Sequence, residues 1–185
     1  TLEDRMNTSL AKFERILRQR INSIASEAER KQTPANVRKF HRKLEPERME
    51  VLNQSLGLEK FSPEEAGLFE KEALVLAEPS LQKARERVAS RIKELVDVQI
   101  VNVNQELDAD AAQRVSDAKT RAQKPPYPAV PVSTIVENFR KKAETLIDSL
   151  KAAQGLEAED LFVFHALAEA KAGTLRQELQ TYLDL

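Results

Sequence analysis

LVDVQIVNVN, residues 95–104, is the stretch on which the fold turns. Five of its ten residues are β-branched, and Val96, Val98 and Ile100 alternate as they would in a half-buried strand. The alternation fails at Val101 and Val103, where the phase slips by one residue. Ile92, Val96, Ile100, Val103 and Leu107 instead recur at steps of four, four, three and four, with helix formers on both sides and no turn residue between them. The spacing predicts a helix, and with it an all-α protein.

Working outward from that stretch, Ser80 to Gln123 contains neither Gly nor Pro. A helix over about 80–123 would be roughly 65 Å long at 1.5 Å per residue. Upstream, Pro79 is expected to end a preceding helix. That helix opens at Ser62-Pro63-Glu64-Glu65, a capping box with Ser as N-cap and Glu at N3. Between Ala66 and Ala77, Leu68, Phe69, Leu74, Val75 and Leu76 occupy more than one face, which predicts burial on most sides.

Nearer the N-terminus, Leu2, Met6, Leu10, Phe13, Leu17, Ile21 and Ile24 form one apolar stripe of a helix over 1–32. Thr33-Pro34 restarts the chain as a short helix. Pro46 is expected to break or kink that run, and Gly57 to stop the next piece in a left-handed conformation. Downstream, four of the eight prolines fall in KPPYPAVP, residues 124–131. The strip reads as a stiff connector, with Tyr127, Val130 and Val132 pinning it to a helical surface; it also meets the minimal PxxP form of a polyproline ligand. Ile135, Phe139, Ala143, Leu146, Leu150 and Ala153 give a helix ended by Gly155. Leu161, His165, Ala168, Ala172, Leu175, Leu179 and Tyr182 give a second at heptad-like 4-3 spacing.

The expected architecture is therefore an elongated, coiled-coil-like helical bundle. Residues 1–123 form an N-terminal helical region with the long helix, 124–131 the Pro-rich connector, and 132–185 an antiparallel helical hairpin. No fixed-period internal repeat is evident in the sequence.

Composition excludes several chemistries. Four glycines leave no phosphate-cradling loop of the GxGxxG or GxxxxGK[ST] type. The absence of cysteine removes disulfides, thiolate nucleophiles and Cys-based metal sites, and is read as an intracellular location, cytoplasmic or organellar. No apolar run reaches transmembrane length. A chain beginning at Thr1 rather than Met reads as a processed form or part of a longer one. The histidines, His41 and His165, stand in no HxxxH or ExxH spacing. Asp108 and Asp110 mimic the start of a calcium loop, but Gln113 and Lys119 occupy its Gly and Glu positions. The reading assigns no catalytic, cofactor-binding or metal-ligating residue, no cofactor and no small-molecule substrate.

Two interaction surfaces remain. Residues 1–50 carry 12 Lys and Arg against 8 Asp and Glu, a net of +4, whereas the rest carries 17 against 22, a net of −5. Arg15, Arg18, Arg38, Lys39, Arg42 and Lys43 form a candidate basic surface for anionic lipid or nucleic acid. The competing reading is a solvated face neutralised by Glu14, Glu27, Glu45 and Glu47. Leu161, His165, Leu175, Leu179 and Tyr182 form a candidate helical interface. The leading expectation is a non-enzymatic structural or adaptor subunit, binding other protein subunits or itself through helical seams. The alternative is membrane-surface or nucleic-acid binding through the basic N-terminal helices, and an unidentified enzymatic activity is the weakest reading.

Overall fold

The structure, a computed structural model, describes residues 1–123 and 130–183. The proline strip and its Tyr127 lie almost wholly outside them. Among the described residues every regular element is a helix: α1 (Leu2–Glu29), α2 (Pro34–His41), α3 (Leu44–Leu58), α4 (Pro63–Ala122), α5 (Val132–Gln154) and α6 (Ala158–Leu183). The protein is all-α, and residues 95–104 are helical. Val96, Val103 and Leu107 are buried while Val98 and Val101 face solvent, so the helical stripe prevails over the strand-like alternation. Contacts divide the chain into Thr1–Leu95 and Val96–Leu185, with the boundary inside α4.

In the first unit, Thr1 caps α1 by accepting from the Asp4 amide, and Thr33 caps α2 by accepting from the Asn36 amide. Arg20 of α1 reaches Glu47 of α3 at 3.3 Å, and Ser9 and Lys12 share a groove with Ser55 and Leu58, so α1 and α3 are antiparallel. The 63–95 part of α4 runs parallel to α1. Arg5 pairs with Glu65, Phe13 meets Phe69 edge-on at 6.2 Å, and Arg87 Nε bonds Glu29 at 2.8 Å. The core comprises Met6, Leu10, Phe13, Leu17 and Ile21 of α1 packed with Leu44, Val51 and Leu52 of α3 and Phe69, Ala73, Ala77, Leu81, Ala84 and Val88 of α4.

The second unit repeats the same up-down-up order without a shared sequence period. Asp108 pairs with Lys171, and Lys119 lies 3.6 Å over the Tyr182 ring, each partner eleven residues further along its helix, so α4 and α6 are parallel. Arg140 bonds Glu169 at 2.7 Å across α5 and α6, which form the expected antiparallel hairpin. Gly155 ends α5 at φ 63° and ψ 47°, and the Leu156 amide returns to the Lys151 carbonyl at 3.2 Å with the Leu156 side chain buried. This is the Schellman stop that the glycine predicts.

Several local expectations are corrected. Pro79 does not end a helix; it sits inside the 60 residues of α4. It lies on the solvent face, where water can serve the Val75 carbonyl that loses its amide partner, while Ala73, Ala77 and Leu81 hold the helix on its buried side. Pro46 does not break the chain either. The break is the Arg42–Lys43 turn, and Pro46 sits in the first turn of α3, where its missing amide has no intrahelical partner to lose. Gly57 is helical, and α3 continues to Leu58 with an extended Glu59 after it. In α5 the buried row is Val132, Val136, Phe139, Ala143 and Ile147; Ile135, Leu146 and Leu150 sit at its edge and Ala153 is exposed. In α6 it is Phe164, not His165, that enters the core.

Replacing Pro79 by Ala restores one amide and relieves the ring contact, so stability is expected to rise by about 2 kcal/mol, read from urea midpoints. Gly155→Ala forces a side chain into the left-handed region and should cost about 1 kcal/mol. Gly173→Ala, at a helical position where an added Cβ meets nothing within 4 Å, should gain about 0.5–1 kcal/mol.

Candidate functional site

The N-terminal end of α4 shows how the sequence builds its clearest local feature. The Glu65 amide donates to Ser62 Oγ at 3.2 Å and the Ser62 amide donates to Glu65 Oε1 at 3.3 Å, a reciprocal capping box. Arg5 pairs with the same carboxylate and lies 5.3 Å over the Phe61 ring, which in turn packs on Phe69 at 5.4 Å. The Ser62 amide above all, with the Ser62 hydroxyl and Arg5, holds the Glu65 carboxyl below its ordinary value of 4.5. The cause is helix capping, so this perturbed acid marks a structural joint.

The residues of the candidate basic surface separate into different environments. Arg38 is buried, 8% exposed, and both it and Arg42 are engaged within the molecule. Arg15 is exposed, and Arg18 pairs with Glu14 on its own helix. Lys39, Arg42 and Lys43 are exposed on and just after α2. Lys43 at 4.3 Å and Lys31 at 5.2 Å both lie over the Phe40 ring. The carboxylates expected to neutralise this segment are largely taken by arginines of other elements. Glu45 bonds Arg48 and Arg85, Glu47 bonds Arg20, and Glu29 bonds Arg87. Glu27 turns toward the segment, meeting Arg30 at 3.9 Å and Lys31 at 3.5 Å, and Glu14 answers Arg18 on α1.

Of the candidate helical interface, Leu175 and Leu179 are core residues of the second unit, Leu161 is half-buried, and His165 and Tyr182 are exposed. Tyr182 carries Lys119 over its ring. Asp108 and Asp110 belong to ion pairs with Lys171 and Arg114. Among the described residues no group of three or more His, Cys, Asp or Glu is arranged to hold a metal, and no helix is long and apolar enough to cross a membrane.

One surface was missed in the sequence. Leu68 is 46% exposed, Val75 72% and Leu76 36%, where burial on most sides was expected. With Leu10, Lys71 and Glu72 they line an open groove of about 390 Å³ between α1 and α4. A signal for this existed: Phe69, Ala73, Ala77, Leu81, Ala84 and Val88 keep helical steps on both sides of Pro79 and select one buried face, from which Leu68 and Val75 are excluded.

No protein-family model, curated protein or solved structure matches the chain.

The capping joint makes a pH prediction. Glu65 is depressed in the fold, so on acidification the unfolded chain takes up the proton first. Its contribution is full above 4.5 and is lost as pH falls through the lower folded value. Glu65→Gln is expected to be less stable than wild type at pH 7, with the gap closing below that range in urea titrations.

Proposed function

We propose that this protein is a non-enzymatic structural or adaptor component that binds partner proteins through apolar helical surfaces. The observation that carries the reading is the exposed Leu68, Val75 and Leu76 on α4, beside Leu10 of α1. Single exposed apolar residues are ordinary on a protein surface, but three on one helix beside an open groove form a patch that water solvates poorly. A helix of a partner laid along such a groove would use the i, i+7 and i+8 anchors that these positions supply. The surface sits on α1 and α4, regular helices packed through the core of the first unit, which lowers the ordering cost of binding.

The test is affinity capture of the full chain from an extract of cells that express it, alongside a Leu68→Ser/Val75→Ser variant. Because both side chains are already exposed, the variant should keep its stability within about 0.5 kcal/mol. Partners held by the wild type are expected to be recovered about tenfold less with the variant. Recovery of the same proteins in the same amounts removes the groove from the binding surface. A wild type that stays monomeric and recovers nothing overturns the adaptor reading.

A further inference from the structure

Between Glu29 and Glu45 the chain has no carboxylate, and it places Arg30, Lys31, Arg38, Lys39, Arg42 and Lys43 there. The fold sorts these cations. Pro34, Val37 and Arg38 of α2 turn inward, and Arg30, Lys39, Arg42 and Lys43 face solvent with Lys31 at their edge. The neighbouring acids Glu29, Glu45 and Glu47 are held by Arg87, by Arg48 and Arg85, and by Arg20. Arg38 and Arg42 are engaged within the molecule, and Glu27 answers Arg30 and Lys31. The tertiary structure commits Glu29, Glu45 and Glu47 to ties between helices, so Arg30, Lys31, Lys39 and Lys43 face one acid, Glu27, and leave a local positive surface around α2.

We propose that this surface, centred on Lys31, Lys39 and Lys43, docks the protein on an anionic lipid bilayer. A cluster of four to eight Lys and Arg on the polar side of an amphipathic helix is the composition that attracts acidic headgroups, each contributing about 1 kcal/mol near the surface. Two features favour lipid over nucleic acid. The Phe40 ring is occupied by Lys31 and Lys43, so it offers no open face for a base to stack on. The central residues are lysines, compact charges on flexible stems that suit mobile headgroups better than the fixed, forked geometry with which arginine reads phosphate and guanine. The apolar side of α2 is spent on the protein core, so the attachment is electrostatic, without insertion, and is released by salt.

The test is co-sedimentation of the full chain with phosphatidylcholine vesicles lacking or containing about 30% phosphatidylserine, at about 50 and 300 mM NaCl. Binding is expected only with phosphatidylserine and should weaken strongly at the higher salt. Lys39→Ala should weaken it about fivefold, and Lys31→Ala/Lys39→Ala/Lys43→Ala about a hundredfold. Lys141→Ala/Lys142→Ala/Lys151→Ala, the same charge change on exposed positions of α5, should leave it within about threefold. Far-UV circular dichroism establishes that each variant folds, and the single Lys39 variant carries the test if the triple one does not. Several results overturn the proposal: no binding at low salt, equal binding to pure phosphatidylcholine, or an equal loss in the α5 control. Tighter binding to duplex DNA, single-stranded RNA or poly-glutamate than to the vesicles assigns the surface to another class of partner.

Discussion

Burial of Phe69, Ala73, Ala77 and Leu81 against α1 keeps α4 helical across a proline, and the packing of the first unit depends on that continuity. Pro79 removes one hydrogen bond and crowds the carbonyl four residues back, a cost of about 3 kcal/mol in a helix interior. Each of the four side chains leaves water completely on the other side of the helix, and burying a large one such as Phe or Leu contributes about 1.5–3 kcal/mol. The packing term outweighs the local one. Because the helix survives, Phe69, Ala73 and Ala77 before the proline and Leu81, Ala84 and Val88 after it form one apolar face in the core of the first unit.

Charge plays a different part from apolar burial. Arginines of α1, α3 and α4 spend their guanidinium groups on carboxylates of neighbouring helices: Arg5 on Glu65, Arg20 on Glu47, Arg48 on Glu78, Arg85 on Glu45 and Arg87 on Glu29. Exposed pairs of this kind are each worth little, about 0–1 kcal/mol, so they orient helices already brought together by burial. Their consequence lies elsewhere. They hold Glu29, Glu45 and Glu47, which flank the segment around α2, on arginines of α1, α3 and α4, while Glu27 answers Arg30 and Lys31.

Much of this was legible in the sequence where a local rule had no competitor. Ser62-Pro63-Glu64-Glu65 makes its capping box and Gly155 its left-handed stop because both depend on backbone geometry within a few residues. The stripe from Met6 to Ile21 is buried as its period requires. The α6 seam was less legible because Leu161, Phe162, Val163 and Phe164 are consecutive apolar residues, so two registers satisfy the period; the fold buries Phe164 and leaves Phe162 75% exposed. The basic surface was half legible. Its residues are visible in sequence, but the burial of Arg38 and the partners of Glu45 and Glu47 require the third dimension.

By itself, then, the sequence determined that the chain is helical, that Thr33 and Ser62 cap helices and Gly155 ends one in a left-handed turn, and that residues 95–104 follow a helical stripe. These follow from side-chain periodicity and from hydrogen bonds closed within one or two turns. Tertiary structure alone decided that α4 runs through Pro79 and that Leu68 and Val75 face water. It also decided which carboxylates answer which cations. Each of those outcomes is a competition between a local preference and contacts made by residues about 30 to 65 positions away, whose strength depends on which helices pack together.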